Sequence, residues 1–281
     1  MSNSSDEYWE INGVSLNQYC WAIKTLGGSR LAVPKLRGDN TLYPFRDGRA
    51  FRSKLADSRI ITLAMFVAGI DPATNNPRTN GNQDVQFNDN WRTLQKLFWS
   101  PSQQLTLTRR WWQGAASPVL KEATALCELA GTMDPTMTGR TRADFAVDLL
   151  LSDPYFYGPE LTVNLVPGVP LVVNNPGDID VYSTIKIQLN GELVSPVITN
   201  QTVQPNVWVR INTAVIANPV NVDVGQFTVT NSFDNTNLVG ATTHSGDRAW
   251  LKLAPGNNTL KLTSIGNSTG NAVLKYKPAY I

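Results

Sequence analysis

Asp153-Pro154-Tyr155-Phe156-Tyr157-Gly158 marks the point where the sequence changes character. The run closes a strand-like stretch, Phe145 to Ser152, with a proline, three aromatics and a glycine, and Pro and Gly interrupt a strand rather than extend it. Before it lie long polar loops, a helical stretch and most of the charge. After it come short alternating runs rich in Val, Ile, Thr and Asn. Residues 1–160 hold 17 of the 24 basic and 16 of the 22 acidic residues, and the remainder only 7 and 6. The later surface must therefore be built from Asn, Thr and Ser. The run reads as a junction between two domains, 1–158 and 159–281, each long enough to bury its own core.

Working backward from the junction, Arg142 to Ser152 is strand-like, with Phe145, Val147 and Leu149 on one face. Gln104 to Trp112 alternates as well, and Val119 to Leu129 is apolar without a clear period. Asn88-Asp89-Asn90 offers a helix N-cap, followed by Trp91, Leu94, Leu97 and Phe98 at helical spacing, and Ser100-Pro101 stops the helix. Asp71 to Phe87, rich in Asn, Pro and Gly, reads as a long polar loop that orders against a neighbour. Ser58 to Ala68 is a strand expected to be buried on both faces near its end. Tyr8 to Leu16 begins as a short strand with an Asn12-Gly13 turn.

Working forward, strands are expected at Leu161–Val166, Leu171–Val173, Ile185–Leu189, Trp208–Ile211, Gln226–Thr230, Ala249–Leu253, Thr259–Thr263 and Ala272–Tyr276. Turns such as Asn190-Gly191 and Pro255-Gly256-Asn257-Asn258 separate them. This spacing predicts an antiparallel sandwich or jelly roll.

The formal net charge of +2 argues against a broad surface for polyanions. Cys20 and Cys127 are the only cysteines and read as buried, reduced thiols rather than a disulfide framework. The first residues have no basic or apolar region of the kind found in a signal peptide. The longest apolar stretch, Ile60 to Ile70, falls far short of a bilayer span, so no membrane insertion is expected.

Catalytic chemistry needs groups that exchange protons or attack carbon or phosphorus. The one histidine, His244, sits in Thr242-Thr243-His244-Ser245-Gly246-Asp247 and reads as a loop residue, because the members of a Ser-His-Asp triad come from distant segments. Glu192 beside the Asn190-Gly191 turn reads as a surface carboxylate. There is no GxGxxG run, no P-loop, and no His/Cys spacing suited to a metal. No catalytic residue, metal or cofactor is expected, and the chain reads as a non-enzyme.

The aromatic and basic residues carry more information. Trp91 and Trp99 read as core. Trp111 and Trp112 are adjacent in a strand, so one must leave the core face, and the pair is an interface candidate. Trp250 reads as sandwich core. Trp208 also reads as core, with a sugar-stacking platform shared with His244 as the alternative. Arg46, Arg49, Arg52, Lys54 and Arg59 form a basic stretch broken by Asp47 and Asp57. It reads as an intersubunit salt-bridge face or a solvated face rather than a phosphate track, because a conduit for DNA should not grip it.

The order of these elements resembles the distal tail proteins of long-tailed, non-contractile bacteriophages, of the kind that infect Actinobacteria. The likeness rests on strand 58–68, helix 88–99 and strand 104–112, the Asp153–Gly158 junction, and the ending Trp250-Leu251-Lys252-Leu253-Ala254-Pro255-Gly256-Asn257-Asn258-Thr259-Leu260. It covers nearly the whole chain. The resemblance implies a mainly β protein: a tail-tube-like β-barrel or sandwich with one flanking helix, then a galectin-like sandwich. It also implies a ring of six copies at the distal end of the virion tail, closed through the first domain. Such a ring joins the tail-tube protein to the baseplate or tail-tip hub protein, neighbours the tape-measure protein, and leaves a channel through which DNA passes. Three other readings compete with it: a module that binds host-wall glycan, a tail-tube subunit with an appended sandwich, and a tail-associated hydrolase, which the want of a catalytic constellation argues against.

Overall fold

The computed structural model describes residues 7–24, 32–38, 41–42, 49–50, 54–76, 82–114, 116–215, 218–245, 250–266 and 268–281; for 41–42 and 49–50 it describes the backbone alone. The described residues are mainly β, with a single α-helix. They form two compact units, 1–156 with 281, and 157–280.

Period-two alternation builds the first unit. Its principal strands are β1 (Glu7–Ile11), β2 (Trp21–Ile23), β3 (Arg59–Ala68), β4 (Leu105–Gln113), β5 (Val119–Leu129), β6 (Thr136–Gly139) and β7 (Arg142–Leu151). They pair antiparallel in the order β1-β4-β5-β7-β3-β2, with β6 also on β7. The register Ile61↔Leu149, Leu63↔Val147, Met65↔Phe145 and Val67↔Ala143 sets two apolar rows side by side. These residues are buried, as are Trp9, Ile11, Leu105, Leu107, Ala123, Ala125 and Cys127. The residues between them on β3 are only partly covered or exposed, so one face of that strand is buried rather than both.

The helix, α1 (Gln83–Phe98), begins five residues before its expected cap, inside the stretch that reads as a loop. Its buried positions are Gln86, Asn90, Leu94 and Phe98, a strict four-residue stripe whose first half is polar. Gln86 Nε2 donates to Asn90 Oδ1 (2.9 Å). Asn90 Nδ2 donates to the carbonyls of Ala68 and Ile70, both at 2.8 Å. The supposed cap residue is thus a mid-helix bracket that holds the helix to the end of β3. Gly69 permits the approach, since a Cβ there would lie 2.4 Å from the Gln83 carbonyl oxygen. Asp84 in the first turn and Lys96 in the last suit the helix dipole. Trp91 meets Phe145 edge-on, with ring centres 5.1 Å apart. Trp99 follows the last buried position and is 69% exposed, so it does not belong to the core.

The second unit is a sandwich of two five-stranded antiparallel sheets. Its main strands are β8 (Leu161–Leu165), β9 (Pro170–Asn175), β10 (Lys186–Asn190), β11 (Val197–Asn200), β12 (Val207–Ile211), β13 (Val220–Asp223), β14 (Thr228–Asn231), β15 (Thr242–His244), β16 (Gly256–Thr263) and β17 (Asn271–Tyr276). The sheet orders are β8-β17-β10-β13-β14 and β9-β16-β11-β12-β15. Ile187, Leu189, Val222, Val229 and Leu274 of one sheet and Ile198, Val209, Leu260 and Leu262 of the other are buried.

Three buried asparagines secure the irregular segments of this unit. Asn258 Nδ2 donates to the carbonyls of Ala254 (2.7 Å) and Gly256 (3.0 Å), while its Oδ1 accepts from Ala254 N–H (2.9 Å) and from Asn200 Nδ2 (2.9 Å). Asn200 Nδ2 also reaches the Lys252 carbonyl (2.7 Å). Asn175 Nδ2 donates to the carbonyls of Ile179 and Leu253. The segment expected as a strand at 249–253 is therefore no strand across residues 250–253, with Leu253 making only a bridge to Val181. Amides from neighbouring strands do there what a ladder would do elsewhere.

Candidate interaction surfaces

Strand phase decides where each candidate side chain goes. On β4, Leu105, Leu107, Arg109 and Trp111 share the core phase, and Thr106, Thr108, Arg110 and Trp112 the other. Trp112 is the indole that leaves the core face and is 50% exposed, whereas Trp111 is partly buried. The Arg109 guanidinium lies 4.8 Å from the Trp111 ring centre and 5.6 Å from that of Trp9, and it pairs with Glu7 at 2.6 Å.

The outer face of β1, β4 and β5 carries a mixed patch. Trp112 sits opposite Leu120, and Arg110 sits between Tyr8 and Glu122. Tyr8 is 45% exposed and Leu120 47%. Arg110 bridges two carboxylates, Glu122 on β5 at 2.5 Å and Glu10 on β1 at 2.6 Å. Its pKa is pushed further up, by the Glu122 hydrogen bond first and then by Glu10. Exposed aromatic and aliphatic side chains thus lie beside a charge cluster on this face.

Of the basic stretch only Lys54 and Arg59 have described side chains, the first exposed and the second buried. Arg46 and Arg52 lie outside the described residues, and for Arg49 only the backbone is described, where it pairs with Leu42. Arg59 is not on the surface at all, with an exposure of 3%. It opens β3 in phase with Ile61 and Leu63, so the alternation that buries those residues buries it too. Its guanidinium lies 5.9 Å from the Phe156 ring centre. Burial, and then the charge of Arg109, lower its pKa. As a surface contact it is withdrawn.

In the second unit, Trp208 is not a core residue. Val207 and Val209 are buried, and the indole between them faces outward with the Arg210 guanidinium 5.9 Å from its ring centre. It lies across the ladder from Thr199, which in turn faces Lys261. His244 is the last residue of edge strand β15 rather than a loop residue, and it stacks on Trp250 at 5.8 Å. Trp250 is buried and meets Phe227 edge-on. Trp208 and His244 are therefore not brought into one platform. A hollow of about 560 Å³ adjoins Trp208, walled also by Gln204, Asn206, Ser245 and Lys252. Sequence reasoning missed this hollow because its walls come from a hairpin turn and two distant loops.

Both cysteines are buried thiols. Burial, with the Glu128 charge second, pushes Cys127 up to about 12. Among the described residues no group of three or more His, Cys, Asp or Glu is placed to hold a metal ion. No described helix is long and apolar enough to cross a membrane.

No family model and no curated protein sequence matches the chain. Among solved structures it is similar to the Dit (gp 19.1) protein of SPP1, presented as a paradigm of the hub adsorption apparatus of phages infecting Gram-positive bacteria. The TM-score is 0.62 at 13% identity, over 96% of this chain and 98% of that one, which establishes a shared fold. The chain also aligns with the baseplate of phage P2 in its activated conformation with Ca, over 98% and 99% of the two chains at 10% identity. At a TM-score of 0.38 that alignment adds nothing to the fold.

Proposed function

We propose that this chain is a structural component of a phage tail, a distal tail protein that forms the hub between the tail tube and the baseplate or tail tip. One observation carries the reading: the chain shares its fold from end to end with a phage hub protein, across both units and with little left over on either side. The function is assembly rather than catalysis. Six copies close a ring through the first unit, placed at the distal end of the tail in the virion, and DNA passes through the central channel without being held. The partners are other copies of the chain, the tail-tube protein, the baseplate hub protein and the tape-measure protein.

A ring needs a heterologous interface, in which one patch meets a different patch of the next copy. The face of Trp112, Leu120 and Tyr8 supplies one side of it. Arg110, held between Glu10 and Glu122, can exchange one carboxylate for that of a neighbour without being left unpaired.

Negative-stain microscopy with mass photometry on the purified chain tests the reading. The expected particle is a closed ring of about 185 kDa, six times the 30.9 kDa chain. Open-ended tubes of variable length would replace this reading with that of a tail-tube subunit. A monomer at every concentration, also when mixed with the tail-tube protein, would remove the ring.

A further inference from the structure

We infer that the second unit binds an oligosaccharide in the hollow beside Trp208. The inference goes beyond assembly and stands whether or not six copies close a ring. It begins with strand phase. Val207 and Val209 bury at 1% and 3% exposure, so the indole between them is directed to the solvated face and adds nothing to the core. The Arg210 guanidinium, on the same face of β12, lies 5.9 Å from the ring centre.

The hollow it borders measures about 560 Å³, within the range of roughly 300–1,000 Å³ common to small-ligand sites. Its polar walls are two carboxamides (Gln204 and Asn206), the Ser245 hydroxyl and the Lys252 ammonium. No carboxylate lines it among the described residues.

That set of groups selects a chemistry. A carboxamide both donates and accepts, so two of them beside a hydroxyl match neighbouring hydroxyls of a sugar ring. The indole offers a flat apolar wall for the C–H face of the same ring. An apolar ligand would bury two amides whose mutual contact, Gln204 Nε2 donating to Asn206 Oδ1, is long at 3.5 Å. A phosphate would call for a cluster of cations or a nest of backbone N–H groups. The one ammonium in the hollow, on Lys252, already faces Asp180 at 3.6 Å.

The walls are also held in place. Ser245 N–H donates to the Trp208 carbonyl (3.1 Å), and Trp208 N–H donates to Ser245 Oγ (3.4 Å). The buried Asn200 amide fixes the Lys252 carbonyl at 2.7 Å. A preorganised wall loses less entropy on binding. The other sheet provides an internal control. Its hollow of about 410 Å³ is lined by Lys186, Gln188, Asn221, Asp223 and Lys275 among others, and no aromatic lines it among the described residues.

The test uses the full chain on a glycan array of neutral and acetylated oligosaccharides, followed by calorimetric titration of the best hit. The expected result is saturable binding at millimolar concentration or below. Trp208→Ala should weaken it about tenfold or more, and Trp208→Phe, which keeps an aromatic wall, only about threefold. Lys275→Ala on the other sheet should leave it unchanged. Melting curves of each variant confirm that it is folded, and Trp208→Phe carries the test if Trp208→Ala is not. Absence of saturable binding on the array and in calorimetry overturns the inference. So does full binding by folded Trp208→Ala, or a loss in Lys275→Ala equal to that in Trp208→Ala, which would move the site to the other sheet.

Discussion

The two units rely mainly on different polar groups. In the first, Arg109 pairs with Glu7, Arg110 with Glu10 and Glu122, Lys24 with Asp144, and Arg140 with Asp84, all on side chains that keep some exposure. In the second, the ion pairs found among the described residues, Lys252–Asp180 and Lys275–Glu160, are long, at 3.6 and 3.5 Å, while Asn175, Asn200 and Asn258, each 1% exposed or less, bond backbone carbonyls at 2.7 to 3.1 Å. A buried amide satisfies backbone carbonyls without desolvating a charge, so it can pin an irregular segment inside a sandwich. A partly exposed ion pair adds little to folding, but it stays available to another partner. The second unit thus uses its polar groups to hold its own shape, whereas the first leaves many of them at a surface where a neighbour can engage them.

The sharpest way to break this contrast is to remove one clamp. Asn258→Ala deletes four hydrogen bonds and leaves the carbonyls of Ala254 and Gly256 and the Asn200 amide short of a partner. The expected loss is about 3 kcal/mol, more than one ordinary hydrogen bond because buried groups are orphaned. Urea unfolding of the full chain, followed by fluorescence, measures it. A loss below about 1 kcal/mol would mean that the Pro255-Gly256 turn holds itself and the amide is incidental.

How far the sequence revealed this depends on the side chain. Strands with apolar alternation were legible: 58–68 and 104–112 are found at Arg59–Ala68 and Leu105–Gln113, and the sandwich was readable from its spacing. Alternation failed where a polar residue occupies a buried position. Gln86 and Asn90 hid the first two turns of the helix, and Asn200 hid β11. Arg59 and Trp208 misled in the opposite sense, because residue type suggested surface and core while phase dictated core and surface. The phase of each was on the page, at Ile61-Leu63 for one and Val207-Val209 for the other. The Trp208 hollow was not, since Gln204, Ser245 and Lys252 meet only after folding.

Asn90 lets the contrast be tested from the other side, because the first unit has one amide clamp of its own. Asn90→Ala frees the carbonyls of Ala68 and Ile70 and should cost about 2 kcal/mol. Both cysteines lie in this unit, and thiol labelling near pH 8 reads its opening directly. At that pH the raised pKa of Cys127 keeps it protonated while buried, so labelling follows the open population. The variant should label about 30-fold faster than wild type, the factor that corresponds to 2 kcal/mol. An unchanged rate would show that α1 is held by its apolar contacts, through Trp91, Leu94 and Phe98.

The smallest effect on folding should come with the largest effect on assembly, at Trp112. Its indole is half exposed and its position faces Leu120 across the ladder, so Trp112→Ser should change stability by no more than about 0.5 kcal/mol. Its neighbour Trp111 is partly buried under the Arg109 guanidinium, and Trp111→Ser should cost more because it removes that packing. On the proposed ring, Trp112→Ser should shift the mass-photometry distribution toward monomer relative to wild type, since interface energy is concentrated in central aromatic residues. If Trp112→Ser still closes the ring while Trp111→Ser opens it, assembly depends on the integrity of the core, and the outer face of β1, β4 and β5 is not the interface. Two adjacent indoles on one strand, pointing opposite ways, thus let one pair of substitutions separate an effect on folding from an effect on assembly.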